Sequence, residues 1–116
     1  MRDSRFDILF EPIKIGPKVM KNRFYQVPYA LGFGNDRPGA QARYRGVRAE
    51  GGWGAVSVEY CAVHPEADDS PLVNVTLQDS HAVQALTMVV AEVPAFGSLA
   101  ALELWHGGAT GLGWHS

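Results

Sequence analysis

Three short runs rich in β-branched, aromatic and aliphatic residues most constrain how this chain can fold, because segments with helical periodicity separate them. The runs are Phe24–Val27, Ala55–Tyr60 and Leu99–Trp105. In segments 40–50 and 80–93, apolar residues recur every three or four positions, which is the spacing of one helix face. Strands that alternate with helices assemble into a parallel sheet through right-handed crossovers. The order β, α, β, α, β therefore predicts an α/β fold.

A further element precedes the first strand. Residues Asp7 to Pro17 contain two apolar runs around Glu11-Pro12 and end on Gly16-Pro17, which predicts a small β-hairpin over residues 7–17. A hairpin followed by βαβαβ can begin either a (β/α)8 barrel or an open doubly wound sheet. Because such a barrel needs roughly 250 residues, the about two and a half βα units of residues 1–116 cannot close one, and both folds stay open.

The first helix has a predicted start, end and inward face. It should begin near Ala40 and stop at Gly51-Gly52. Ala40, Tyr44 and Val47 recur at helical spacing and are expected to pack inward, which leaves the arginines of this segment in solvent. Those arginines are Arg43, Arg45 and Arg48.

Composition and charge exclude several classes of partner. Ten basic and twelve acidic residues give a formal net charge of −2, and no Lys/Arg block is present. We therefore expect no binding to nucleic acid or to an anionic membrane. No apolar stretch approaches the roughly 20 residues that cross a bilayer, and the N-terminus lacks the apolar core of a signal peptide, so a cytoplasmic protein is expected.

Cysteine and histidine spacing gives no support for a metal site. Cys61 is the only cysteine, which excludes an intrachain disulfide and a cysteine-ligated zinc or iron–sulfur site built from this chain alone. It is expected to be a small buried hydrophobe. His64, His81 and His115 have no partner at metal-ligand spacing. No metal ligand is predicted.

The carboxyl ends of the strands are where parallel α/β folds bind their ligands. The residues that fall there are 28–30, 59–61 and 103–106. Glu103 lies between Leu102 and Leu104, and a carboxylate buried in a strand costs several kcal/mol unless a donor meets it. A ligand with an N–H edge is one such donor, and a lysine or arginine of a neighbouring element is the structural alternative. Periodicity does not choose between them.

Aromatic and imidazole side chains at the same ends add binding chemistry. Tyr60 and Trp105 have flat apolar faces suited to stacking on a ring or to cation–π contact with an ammonium group, although each also fits a packed core. His106 is suited to act as an acid, a base or a hydrogen-bond donor, or to bond a carbonyl of its own loop. The glycine clusters at 32–34 and 107–113 lack the spacing of dinucleotide and Walker A loops, so we interpret them as flexible loops over a site.

Several linked blocks of residues, in order along nearly the whole chain, resemble one family. The similarity is to the start of the trimethylamine and dimethylamine dehydrogenase branch of the old yellow enzyme (NADH:flavin oxidoreductase) superfamily. The blocks are Asp7–Lys18, Asn22–Pro28, Ala49–Trp53, Glu59–Cys61 and Glu103–Trp105.

The resemblance implies an FMN-containing (β/α)8 barrel with the hairpin as a plug at its base, and residues 1–116 would be an incomplete FMN-binding barrel domain. Glu103 would accept a hydrogen bond from the flavin imide N–H, and the backbone near Tyr60 would approach the pyrimidine side of the ring. Tyr60, with Trp105 and His106, would also bind a small methylated ammonium substrate. Catalytic residues, phosphate loops and a 4Fe-4S cluster would lie beyond Ser116. Four further residues would line the flavin: Val27, Pro28, Tyr29 and Ala30.

Three positions depart from the family pattern. Ala30 stands where the trimethylamine enzyme has a cysteine linked covalently to FMN, so FMN is expected to be non-covalent here. Tyr29 replaces an expected histidine, and Pro94 interrupts an expected helix, which leaves the substrate open. The predicted function is FMN-dependent oxidation of a methylated amine by a full-length protein, which is compatible with a homo-oligomer. The alternatives are an NAD(P)H-dependent ene-reductase of the same superfamily and a non-catalytic truncated fragment.

Overall fold

The computed structural model describes residues 3–67, 75–78 and 80–110. Within them a short antiparallel hairpin precedes a parallel sheet, and two α-helices connect the sheet strands. His115 and the end of the glycine cluster at 107–113 lie outside the described residues. The elements are β1 (Ile13–Ile15), β2 (Lys18–Met20), β3 (Tyr25–Gln26), α1 (Pro38–Glu50), β4 (Ala55–Ala62), β5 (Val75–Thr76), α2 (Ser80–Glu92) and β6 (Leu99–Trp105).

The hairpin is present but begins later than predicted. Residues Ser4–Phe10 form a 3-10 helix, whose first turn is capped because the Asp3 carboxylate accepts from the Arg5 N–H. β1 and β2 pair antiparallel on either side of Gly16-Pro17. Gly16 has φ 55, a conformation that favours glycine, so the chain reverses there and not at Glu11-Pro12. The predicted bounds of 7–17 were therefore wrong, although Gly-Pro marks the turn.

The main sheet is parallel, as the βαβαβ order predicts. β3 pairs with one edge of β4 and β6 pairs with the other, both in parallel. The unpredicted β5 pairs with Cys61 and Ala62, whose other edge is taken by β6. β5 therefore lies on the same edge of β4 as β3, but further along the strand. A strand of two residues is too short to produce an alternating pattern in a sequence.

The inward face of α1 differs from the predicted one. Ala40 and Val47 are exposed, whereas Arg45 is fully buried. The buried stripe consists largely of small residues, because α1 approaches α2 so closely that a Cβ on Gly46 would meet the Glu92 side chain. A face chosen for its large apolar residues was therefore wrong. The buried residues of α1 are Gln41, Ala42, Arg45, Gly46 and Ala49.

The core lies between the helices and one face of β4. Its aliphatic residues include Val56 and Val58 from β4 and Val89 from α2. β6 was expected to be covered on both faces, but its residues from Leu102 to Trp105 are exposed. Among the described strands, β6 pairs with β4 alone. Neither described helix is long and apolar enough to span a bilayer.

Candidate functional site

One extra residue in β4 decides which side chains meet at the carboxyl end of the sheet. β4 and β6 pair Ser57 with Ala101 and next Tyr60 with Glu103, so three steps along β4 match two along β6. Such a β-bulge shifts the alternation of side chains by one position. Val58 before the bulge and Cys61 after it therefore both belong to the core under the helices. Tyr60 is thereby turned to the other face.

Three of the predicted site residues share that other face. Residues paired in parallel strands present their side chains on the same side, and Tyr60 pairs with Glu103 while Ala62 pairs with Trp105. The rings of Tyr60 and Trp105 meet edge to face, with centroids 5.8 Å apart and planes at 61°. The face of Tyr60, Glu103 and Trp105 is therefore an aromatic surface with one carboxylate, and we call it the aromatic–acid face.

Glu103 is not the buried carboxylate that its sequence context suggested. It is exposed, and within the described part of the chain it has neither an ion pair nor a hydrogen bond to a lysine or arginine. The sequence argument assumed a strand covered on both faces, whereas the aromatic–acid face is open here. The premise was therefore wrong for these residues, and the carboxylate is free to accept a donor from a ligand.

His106 lies at the rim and stacks on a second histidine. The imidazoles of His106 and His64 have centroids 6.3 Å apart and planes at 24°. Nδ1 of His106 accepts from the Gly108 N–H at 2.9 Å, and Nδ1 of His64 accepts from the Glu66 N–H at 3.2 Å. In this bond His106 accepts from a backbone N–H. The alternative role given to it from the sequence was a bond to a carbonyl of its own loop. In the neutral tautomer its Nε2 carries the proton that can be donated.

The four predicted flavin-lining residues of the first strand lie in the loop that follows β3. Val27 and Tyr29 are 60% and 57% exposed, and Ala30 is exposed, while Pro28 is half-buried. Val27 and Tyr29 also border a cleft of about 370 Å³ together with residues of α1. The loop is tied to the strand of Tyr60, because the Leu31 N–H donates to Glu59 at 2.8 Å. Ala30 and Tyr60 therefore lie at the same end of the sheet.

Two buried charges that sequence reasoning missed hold this loop. Glu59 and Arg45 are both fully buried, and their hydrogen bonds go to the loop between β3 and α1. Burial lowers the pKa of Arg45, and the nearby Glu59 carboxylate partly offsets that effect. The argument applied to Glu103, a carboxylate in an apolar strand, would have identified Glu59 if it had been applied there.

Cys61 is buried, as its sequence context predicts. Burial, with smaller contributions from the Glu59 and Glu103 carboxylates, raises the pKa of its thiol to about 12. A thiol that stays protonated is a weak nucleophile and a poor metal ligand. The described residues contain no cluster of three or more His, Cys, Asp and Glu side chains that would hold a metal ion.

Comparison with known proteins gives this geometry a context. The chain is 49% identical over 107 residues to dimethylamine dehydrogenase of Hyphomicrobium sp. (strain x), covering 92% of this chain and 14% of that protein. Two solved structures superpose on nearly all of it. They are 6-hydroxypseudooxynicotine amine oxidase from Pseudomonas geniculata N1, with a TM-score of 0.87 and 43% identity, and histamine dehydrogenase from Rhizobium sp. 4-9, with 0.88 and 37%.

This chain spans less than a fifth of the length of the two solved relatives. The matches cover 99% and 98% of this chain but only 17% and 18% of the two solved chains. The predicted fold class, the start of a (β/α)8 barrel with parallel strands and intervening helices, is thereby confirmed, as is the predicted resemblance to the amine dehydrogenase branch. The model of the NADH:flavin oxidoreductase / NADH oxidase family matches residues 8–112, and the chain belongs to that family.

Proposed function

We propose that this chain forms the first part of the flavin site of an FMN-dependent oxidoreductase that oxidises a small amine. The observation that carries the proposal is the pairing of Tyr60 with Glu103 on one open face at the carboxyl end of a parallel sheet. Ligands of parallel barrels bind at this end. The similarity to dimethylamine dehydrogenase and to two further amine-oxidising proteins supports the same assignment.

The aromatic–acid face fits a flavin ring. Glu103 is exposed and free of basic partners in the described residues, so its carboxylate is available to accept from an imide N–H. The exposed or half-buried loop residues Val27, Pro28, Tyr29 and Ala30 would supply apolar surface at the same end of the sheet. Alanine has no nucleophile, so FMN is held without a covalent link at this position. When bound, FMN supplies the hydride-accepting chemistry that no amino acid side chain provides.

Tyr60 and Trp105 fit a methylated ammonium group. Their edge-to-face contact leaves ring surface at the open side of the sheet, where a cation is attracted by the π electrons. His106, at the rim, has Nε2 available to donate or exchange a proton. These three residues would bind and orient the substrate, and the residues that act on the reacting carbon are expected outside this chain.

The experiment uses the full-length protein. It is expected to bind FMN reversibly and to reduce it with dimethylamine or trimethylamine in the absence of NADH. Glu103→Gln should weaken FMN binding roughly tenfold, since a hydrogen bond to a charged acceptor contributes about 1.5–3 kcal/mol. Glu50→Gln is the matched control, because Glu50 ends α1 at the opposite end of the sheet. Lack of FMN binding by the wild type, or equal effects of both substitutions, would contradict the proposal.

An NAD(P)H-dependent ene-reductase is the second candidate, favoured by the match to the NADH:flavin oxidoreductase / NADH oxidase family. Cyclohexenone reduction with NADPH and without amine would support it and would overturn the amine assignment. The absence of nucleic-acid partners, a cytoplasmic location and a homo-oligomeric whole protein remain predictions. Gel filtration and cell fractionation of the full-length protein test the last two.

A further inference from the structure

Two buried charges of opposite sign bond to the backbone of the loop that carries Ala30. Arg45 of α1 and Glu59 of β4 are each 0% exposed. A buried charge is costly unless it is hydrogen-bonded, and an apolar pair of similar volume often fills such a space at no loss of stability. Among the described residues, the side chains of Arg45 and Glu59 direct their hydrogen bonds to the loop and its preceding strand and not to each other.

The hydrogen bonds enclose Ala30 from both sides along the backbone. Nη2 of Arg45 donates to the carbonyl oxygen of Tyr29, the residue before it. Oε2 of Glu59 accepts from the N–H of Leu31, the residue after it, at 2.8 Å. Oε1 of Glu59 accepts from the N–H of Gly34 at 3.2 Å, which holds the end of the same turn. The backbone around Ala30 is thus held by a cation at the carbonyl of the preceding residue and by an anion at the N–H of the following residue.

We propose that Arg45 and Glu59 are positioning residues of the flavin site, which fix the backbone around Ala30 relative to Tyr60 and so set the surface that meets the flavin ring. This inference rests on the proposed function. Neither side chain needs to touch the cofactor, because each acts through the loop.

The bulge in β4 couples the loop of Ala30 directly to the position of Tyr60. Glu59 and Tyr60 are consecutive, and the extra residue turns Glu59 to the face of Cys61 under α1 while Tyr60 turns to the aromatic–acid face. One carboxylate therefore joins the loop of Ala30 to the peptide that carries Tyr60. A shift of that carboxylate changes the distance between the two surfaces proposed to contact the flavin. Without this carboxylate, the distance would depend on the packing of the loop alone, and most residues of the loop are exposed.

The chain offers a matched control on the same helix. Gln41, one turn before Arg45, is 1% exposed, and both of its amide atoms lack a partner in the described structure. Gln41→Leu keeps the volume and removes no hydrogen bond, so it tests a buried polar side chain that does not hold the loop. The test variants are Glu59→Gln, which replaces one accepting oxygen by a donor, and Arg45→Met, which removes the guanidinium and keeps a long apolar side chain.

The experiment measures FMN dissociation constants, the visible circular dichroism of bound FMN and thermal midpoints for each variant of the full-length protein. We expect Glu59→Gln and Arg45→Met to weaken FMN binding by roughly tenfold or more and to change the flavin dichroism, whereas Gln41→Leu should change neither. A merely structural role would lower the thermal midpoint but leave the spectrum of bound FMN unchanged. That outcome, in folded variants with normal FMN affinity, overturns the inference and leaves the proposed function intact.

Hydrogen exchange keeps the inference testable if a variant does not fold. In the FMN-free wild type, the amides of Leu31 and Gly34 should exchange much more slowly than an unstructured chain, because both donate to a buried carboxylate. Exchange at the rate of an unstructured peptide would overturn the inference without any variant. Failure of the wild type to bind FMN would instead overturn the proposed function.

Discussion

Gly54→Ala should destabilise the fold, because the glycine is wedged between the hairpin and the sheet. Gly54 is buried immediately before β4, and a Cβ there would contact the backbone oxygen of Asn22, lie 2.6 Å from Asn22 Oδ1 and lie 2.9 Å from Met20 Cγ. Asn22 cannot easily move away from the added Cβ, because both ends of its side-chain amide are hydrogen-bonded. Its Nδ2 donates to the Gly52 carbonyl at 2.8 Å, and its Oδ1 accepts from the Phe24 N–H at 3.2 Å.

The loss of unfolding free energy in Gly54→Ala can be worked out from the contacts that a Cβ would displace. Gly54 joins two strands, since its N–H donates to the Phe24 carbonyl and its carbonyl accepts from the Leu99 N–H, both at 2.9 Å. Overpacking costs about 1–3 kcal/mol, and each weakened backbone hydrogen bond about 1 kcal/mol. We expect a total loss of about 3 kcal/mol, which lowers the midpoint of a barrel-sized domain by roughly 6–12 °C.

Gly46→Ala is the matched control, since its Cβ would meet a side chain and not a backbone. The nearest atoms belong to Glu92, whose side chain is 35% exposed and pairs with Arg43 at 3.0 Å. Rotating Glu92 outward forfeits an exposed ion pair contributing about 0.2–1 kcal/mol, while alanine gains about 1 kcal/mol of helix propensity. Thermal unfolding of full-length protein without FMN should therefore leave Gly46→Ala near wild type. Equal midpoints for Gly54→Ala and wild type would refute the steric argument.

Three further predictions concern the site. Because the pKa of the Cys61 thiol rises from its ordinary value of 9.0 to about 12, iodoacetamide should modify it only after unfolding, and rapid labelling of native protein at pH 8 would contradict its burial. The raised pKa also means that the thiol contributes stability below pH 9, which is lost as pH rises toward 12, so Cys61→Ala should reduce the alkaline fall in unfolding free energy. Tyr60→Leu should raise KM for dimethylamine roughly twofold to thirtyfold, as expected for a cation–π contact of about 0.5–2 kcal/mol, and Tyr60→Phe should retain most of the affinity. Ala30→Cys should permit a thioether to oxidised FMN in air, because the thiolate can add to the ring, which loses a proton and is reoxidised when oxygen takes up the two electrons. Mass spectrometry that finds only releasable FMN would argue against the proposed ring position.

Local pattern was sufficient for the order of β3, α1, β4, α2 and β6, but not for β5. The three strand runs and both helices lie within a few residues of their predicted places, because glycine and proline limit helices and strands through backbone geometry that acts within a few residues. The family blocks at Asn22–Pro28 and Glu103–Trp105 likewise depend on residue identity alone. The hairpin was misplaced because Asp3 caps a preceding 3-10 helix, a local bond that apolar patterning does not register.

The sequence by itself determined the βαβαβ order, the parallel sheet and the family. Only the tertiary structure decided that Arg45 faces inward and that Glu59, not Glu103, is the buried carboxylate. Helical periodicity identifies stripes but does not say which stripe meets the sheet, and in α1 the close approach of α2 selected the small residues around Gly46. The faces of Glu59 and Tyr60 depend on one unpaired residue in β4, which exists only in the register with β6. That register is a contact between distant parts of the chain, so no local pattern contains it.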